Sequence, residues 1–263
     1  MSEHVRLTAH EGGVRRLTIA RPQVRNALDA QAFGEIIAAC KRVAADREAR
    51  VLVLAGEGQA FSAGGDFDTL QKILDAGRRF AVAELRHANE GVLALASLPI
   101  PTVALVHGDA FGGGAAVALA ADFRVMSAKA RLGFVFARVG LSGADTGATW
   151  TLSRLVGPAR AFEILALGQI FSAEEARMAG LVTSIAPAES FEAEAEAFVA
   201  RLAALAPLAV GGTKRAMSGI EGRSFAAQLD IEAELQADAL TSRDFREGLA
   251  AFREKRSPIF GGR

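Results

Sequence analysis

The chain has almost no cysteine: Cys40 is the single one in 263 residues. An intrachain disulfide is therefore excluded, and the composition fits a reducing compartment. Cys40 falls in an apolar helical pattern, which reads as core rather than nucleophile. Histidine is scarce too, and its four copies show, with the cysteine, none of the spacings that metal sites use. Charge has no surplus of either sign, because thirty Lys and Arg balance thirty Asp and Glu. That balance offers no footprint for nucleic acid or for an anionic membrane surface. No uninterrupted apolar run reaches about 18 residues, so no membrane span is expected. The opening Met1-Ser2-Glu3-His4-Val5-Arg6 has no apolar stretch and carries an acid early, unlike a signal peptide. On these grounds the cytoplasm, a cytoplasmic setting, is the default expectation. No repeat, low-complexity tract or linker interrupts the sequence.

What is present is a well-patterned globular chain, 51% hydrophobic and 23% charged, long enough for a substantial core. Residues 14–20, 51–55, 102–106, 123–126, 132–134 and 182–185 read as strands. Residues 30–45 carry helical periodicity through Phe33, Ile36, Ile37, Cys40 and Val43. Residues 67–98 look helical with a break near Gly77, ended by Pro99 and Pro101. A tight turn opens an alanine-rich buried helix within 112–121, and 158–167 is helical. Ser172 and Glu175 have capping-box spacing. From 190 to 253 only helical patterning remains. Strands alternating with helices, then helices alone, point to an α/β core with a helical C-terminal region.

Two glycine-rich stretches stand out. Phe61-Ser62-Ala63-Gly64-Gly65-Asp66 follows the run 51–55; about fifty residues later His107-Gly108-Asp109-Ala110-Phe111-Gly112-Gly113-Gly114 follows the run 102–106. Glycine at a strand end lets the backbone approach a ligand with its N–H free to donate. Two such donors aimed at one point can hold a developing oxyanion. These residue types, in this order and spacing, resemble the crotonase (enoyl-CoA hydratase/isomerase) superfamily.

The resemblance implies a crotonase-like (ClpP/crotonase) α/β spiral of ββα units with a helical C-terminal region. It implies an acyl-CoA thioester substrate, with CoA belonging to the substrate, so that no separate cofactor and no metal is expected. It further implies a core over 1–189 that binds the ester and a region over 190–263 for oligomerisation and completion of the CoA site. Homotrimers, or hexamers as dimers of trimers, are the implied assembly. The implied oxyanion donors are Gly65 and Gly113, and Gly113 also lies near a predicted helix N-terminus, where free N–H groups favour negative charge. Losing one such donor costs on the order of 3–4 kcal/mol in the barrier. Ala63, Gly64, Asp66 and Gly112 flank the donors and join the implied substrate contacts, although Asp66 reads as a structural tie between loop and backbone rather than as an acid.

Further matches run along the chain. Arg21-Pro22-Gln23-Val24-Arg25-Asn26-Ala27-Leu28 looks like the segment whose backbone near Ala27 meets the adenine end of CoA. Arg25 is either a phosphate contact or a solvated arginine. Leu155-Val156-Gly157-Pro158-Ala159-Arg160-Ala161, residues 171–181 and the tail Phe252-Arg253-Glu254-Lys255-Arg256-Ser257-Pro258-Ile259-Phe260 also match. Lys255 is either a phosphate contact, on this or a neighbouring subunit, or an exposed lysine. Phe67, Phe111, Phe134 and Phe136 are candidates for an acyl pocket or for plain core. His107 reads as structural, and the role of Asp109 is open.

The pattern breaks at the catalytic acids. Hydration needs a base to activate water and an acid to protonate carbon, and typical hydratases of the family use two glutamates. Their positions hold Ala116 and Phe136 here. The loop Gly140-Leu141-Ser142-Gly143-Ala144-Asp145-Thr146-Gly147 supplies one nearby carboxylate, Asp145. It either caps the next helix or faces the acyl pocket, where family isomerases and the 4-chlorobenzoyl-CoA dehalogenase place an acid. The dehalogenase histidine aligns with Asn89, and His87 two residues away points to another helix face, as a surface or packing residue. Three readings stay open: a hydratase/isomerase-type enzyme with Asp145 moving protons, an Asp145 nucleophile acting on an aryl- or acyl-CoA, and a non-catalytic acyl-CoA-binding protein.

Overall fold

The computed structural model describes residues 3–262, so Met1 and Ser2 of the opening segment lie outside the described residues. The elements run β1 (Val5–Ala9), β2 (Val14–Ile19), α1 (Ala30–Ala45), β3 (Val51–Gly56), α2 (Phe67–Ala76), α3 (Arg78–Ala96), β4 (Thr102–Val106) and β5 (Ala110–Phe111). They continue with α4 (Gly113–Ala120), β6 (Phe123–Ser127), β7 (Arg131–Gly133), α5 (Ala148–Val156), α6 (Pro158–Ala166), β8 (Ile170–Ser172), α7 (Ala173–Met178) and β9 (Ser184–Ala186). Four helices complete the chain: α8 (Phe191–Ala203), α9 (Pro207–Met217), α10 (Phe225–Leu240) and α11 (Arg243–Glu254).

A six-stranded sheet has the order β1-β2-β3-β4-β6-β9. The β1–β2 pair is antiparallel, and the rest are parallel. Its central strands are continuous apolar runs because both faces are covered. On β3, Leu52 and Leu54 enter a core with α1, α3 and α4, whereas Val51 and Val53 face α8. On β4, Ala104 and Val106 take the first side, Val103 and Leu105 the second. A period of two thus sorts one strand into two cores. Helix α4 is buried at every position, as its all-apolar sequence requires. Cys40 sits in the first core, and burial pushes its thiol up to about 12, so its role is packing.

A second, three-stranded sheet has the order β5-β7-β8. It lies at the carboxyl ends of β3 and β4, where isolated parallel bridges join Ser62 to Ala110 and Leu28 to Gly65. The patterned reading did not foresee β1, β5 and β8, and it set the last strand at 182–185, where the structure forms Ser184–Ala186. The strands β5 and β8 have two and three residues, too few to show a period. The break at Gly77 and the capping box at Ser172 occur as expected.

Where the two glycine segments meet, side chains have no room. A Cβ on Gly114 would lie 2.5 Å from the Ser62 carbonyl oxygen and 2.7 Å from the Ser62 Cβ. A Cβ on Gly64 would lie 2.7 Å from the Phe111 carbonyl oxygen, and Gly64 holds φ +96°. Gly114→Ala is therefore expected to lower unfolding stability by about 1–3 kcal/mol in urea titrations. Gly222→Ala, whose Cβ meets nothing within 4 Å, is expected to stay within about 0.5 kcal/mol of the parent.

Candidate active site

The site begins as backbone. Ser62 N–H donates to the Asp109 carbonyl (3.2 Å) and Phe111 N–H to the Ser62 carbonyl (2.9 Å), which fixes the two glycine segments side by side. The Ser62 hydroxyl donates to the Asn26 carbonyl (2.8 Å) and accepts from Gly64 N–H (3.2 Å). Ala63 N–H donates to the Arg25 carbonyl, and Asp66 N–H to the Leu28 carbonyl, both at 2.9 Å. Gly65, between these committed neighbours, has no acceptor for its N–H among the described residues. Gly112 N–H donates to the Gly133 carbonyl at 2.8 Å. Gly113 opens α4, where the first N–H groups have no partner within the helix. A Cβ on Gly113 would lie 3.9 Å from Gly65 N, so the two uncommitted amides are neighbours.

Charges hold the entry to this region. The Arg21 guanidinium pairs with Asp29 (3.2 Å) and Asp66 (3.0 Å) and donates to the Ala27 carbonyl (2.6 Å). Asp29 caps α1 and Asp66 caps α2 through the Thr69 N–H. Burial opposes ionisation of Asp66, but the Thr69 N–H and Arg21 outweigh it and hold the carboxyl below its ordinary value. Asp66 is thus the structural tie that its sequence position suggested. Asn26, fully buried with φ +57°, donates to the Glu57 and Ala60 carbonyls at 2.8 and 2.7 Å, bracing the loop before Phe61.

A narrow cavity of about 80 Å³ opens at the two glycines. Leu28, Phe33, Leu70, Ile73, Leu85 and Ala88 from the α1 entry, α2 and α3 give it apolar walls. Four carboxylates also touch it: Asp29, Asp66, Glu84 and Asp145. Asp29 and Asp66 are spent as helix caps. Glu84, half-buried on α3, makes no hydrogen bond or ion pair among the described residues.

Asp145 does not cap the next helix. Gly147 takes that place at φ +80° with no side-chain cap, and Asp145 contributes only its carbonyl, which accepts from Ala148 N–H (2.8 Å). Its carboxylate Oδ1 is buried without a partner, and so is the neighbouring Thr146 Oγ1. Burial raises the Asp145 carboxyl above its ordinary value, partly offset by the Thr146 backbone N–H. Thr146 holds φ +43°, a region that costs a β-branched residue about 1–3 kcal/mol. Strain and two orphaned polar atoms are thus concentrated at one turn of the cavity wall.

The remaining sequence candidates divide. Phe67 begins α2 and is 77% exposed, outside the cavity. Phe111 lies under the Arg131 guanidinium (5.4 Å), and Phe134 is core against Phe171, so neither lines the cavity. Phe136 is buried beside Gly112, whose Cβ would meet its ring at 3.7 Å, and Ala116 is sealed inside α4. Arg25 and Ala63 are exposed next to the loop, and Ala27 is buried there. Lys255 is exposed at the C-cap of α11, away from the cavity. The Ala30 carbonyl accepts from His87 Nε2 and the Gly58 carbonyl from His107 Nε2, both at 3.0 Å, so both histidines brace backbone. Asp109 clamps Arg131 at 2.6 Å. Arg21, Asn26, Glu84 and Thr146 were missed; only the left-handed turns at Asn26 and Thr146 mark two of them, and φ is invisible in sequence.

Comparison with known proteins agrees with this architecture. A family model described as enoyl-CoA hydratase/isomerase matches residues 9–263. A Rhodobacter capsulatus protein named probable enoyl-CoA hydratase is 39% identical over 265 residues, covering 100% of both chains. The 1,2-epoxyphenylacetyl-CoA isomerase of Escherichia coli is 34% identical, covering 96% of this chain and 97% of its own. The crystal structure of an enoyl-CoA hydratase from Bacillus anthracis superposes with a TM-score of 0.93 at 28% identity, covering 99% of this chain and 100% of its own. The mixed α/β architecture is the crotonase fold, and the chain belongs to the enoyl-CoA hydratase/isomerase family of enzymes that act on CoA thioesters.

Proposed function

We propose that the chain is an isomerase-type member of this family that shifts a double bond in an acyl-CoA thioester. The Gly65 and Gly113 N–H groups polarise the thioester carbonyl, and the N-terminus of α4 adds to the field at the oxygen. Asp145 removes a proton from carbon and returns it to another carbon of the enolate. The observation that carries this reading is the buried, unpartnered Asp145 Oδ1 on the wall of the cavity that both glycines line. Ala116 and Phe136, at the positions of the family's paired glutamates, cannot transfer a proton, and of the unpaired carboxylates on the cavity wall Asp145 is the more deeply buried. One carboxylate suffices for a double-bond shift, since the same group removes and returns the proton. A relative from Mycosarcoma maydis, 33% identical over 260 residues and named enoyl-CoA isomerase/hydratase, supports this choice. CoA enters as part of the substrate, and the exposed Phe225, Leu229 and Phe252 of the C-terminal helices suit contacts between subunits of a trimer.

A second reading has its own observation. Hydration needs a further proton carrier, and Glu84 is the remaining unpaired carboxylate on the cavity wall. A panel of 2-enoyl, 3-enoyl and aryl-CoA esters separates the readings. Asp145→Asn is expected to lose roughly 100-fold or more in double-bond isomerisation, with undiminished activity sinking the assignment. Glu84→Gln is expected to leave isomerisation intact; a selective loss of water addition in that variant would establish hydration instead.

The raised Asp145 carboxyl fixes two pH dependences. As a base it must be ionised, so kcat/KM is expected to rise with pH through a midpoint above the ordinary carboxylate value of about 4. For stability the sign is reversed. The unfolded chain ionises at lower pH than the folded one, so Asp145 costs stability as pH rises between the two values, and the cost persists above them. Asp145→Asn is therefore expected to melt higher at pH 7, by roughly 2–4 °C for each unit of displacement. The gain should vanish in calorimetric scans taken below about pH 3, where both states are protonated.

A further inference from the structure

Thr146 is 5% exposed, yet its hydroxyl has no hydrogen-bond partner. The residue lines the same cavity as Gly65, Gly113 and Asp145. A Cβ on Gly113 would stand 4.0 Å from Thr146 Oγ1 and 3.9 Å from Gly65 N. One small volume beside Gly113 is therefore bounded by the Gly65 amide and the Thr146 hydroxyl, with the Gly113 amide at its edge. A buried hydroxyl left unpaired is costly, and native proteins rarely leave one without a reason. The neighbouring Asp145 Oδ1 is equally unpaired. Were Thr146 present to orient Asp145, these two atoms would be bonded to each other. They are not bonded to each other, and both residues line the cavity. The turn also keeps a β-branched residue at φ +43°, where glycine or asparagine would be easier, so the side chain is retained against its backbone preference.

The geometry points to the Thr146 hydroxyl as a third donor to the thioester oxygen, beside the Gly65 and Gly113 amides. This rests on the reading of the cavity as the acyl-CoA site. When Asp145 takes a proton from carbon, the C–H pair moves into the new carbon–carbon double bond and the carbonyl π pair moves onto oxygen. The oxyanion then accepts from the two amides and from Thr146 O–H. Thr146 keeps its proton throughout, and Asp145 delivers the abstracted proton to the other carbon as the carbonyl reforms. The hydroxyl strengthens its bond as charge grows on oxygen, so its contribution belongs to kcat more than to KM.

The test compares the parent enzyme with Thr146→Val, Thr146→Ala and Thr146→Ser. It reads isomerisation of 3-enoyl-CoA esters and the C=O stretch of a bound 2-enoyl-CoA carrying ¹³C at the thioester carbon. Thr146→Val and Thr146→Ala are expected to lose roughly 100-fold in kcat with little change in KM, and their C=O stretch moves back toward the solution value. Thr146→Ser is expected to keep most of the activity and the parent's shifted stretch. A shifted stretch in the parent that all three variants retain would overturn the assignment, as would equal losses in Ser and Val, which mark a packing role. An unshifted stretch in the parent would overturn the acyl-CoA reading of the cavity, and the third donor with it.

Discussion

The structure turns on a close approach of backbone to backbone. The segment after β3 and the segment after β4 touch through Ser62, Gly64, Ala110 and Gly114, with hydrogen bonds that leave no space for a Cβ at either glycine. That contact does three things at once. It joins the second sheet to the first, it seats the N-terminus of α4, and it leaves two neighbouring amides without acceptors. A stronger ladder, with every N–H paired, would be more stable locally and would have no donors left for a ligand. The two free amides exist because the pairing skips Gly65 on one side and ends at Gly112 on the other.

Charge placement follows from the same contact. Arg21, Asp29 and Asp66 pair with one another, and the two carboxylates cap two helix termini, so their charges are compensated although Arg21 Nε keeps no partner among the described residues. Asp145 and Thr146 lie on the opposite account: buried, polar and unpaired, in a turn of positive φ. Proteins concentrate such uncompensated features where a ligand completes them. The contrast between these two sets, rather than the identity of any one residue, distinguishes paired carboxylates from an unpaired one around this cavity. Asp66, acidic and next to Gly65, is committed to Arg21 and to the cap of α2, whereas Asp145 Oδ1 has no partner among the described residues.

Much of this was legible in the sequence for definite physical reasons. The helix over 30–45 and the strand after residue 50 announce themselves by period and composition, since burial of one or both faces demands it. The glycine stretches are readable because only glycine tolerates the approach they make. That Ala116 and Phe136 cannot move a proton is readable because neither side chain titrates. The edge strand β1 was missed although Val5 and Leu7 alternate with Arg6 and Thr8, a weak signal on a half-exposed edge. The aromatic candidates misled: Phe67 is exposed and Phe134 is core, and apolar composition alone cannot tell a pocket wall from either.

The sequence by itself determined the fold class, the two glycine segments and the single acidic candidate in the loop before α5, because these depend on local pattern and residue chemistry. Only the tertiary structure decided that Asp145 faces the cavity instead of capping α5, that Thr146 stands unpaired beside it, and that Glu84 reaches the same wall from α3. Those facts depend on which loop meets which helix across a core, and on a backbone torsion at Thr146 that no residue name specifies. Desolvation, which sets the Asp145 carboxyl above its ordinary value, is likewise a property of the assembled surroundings and not of the residue.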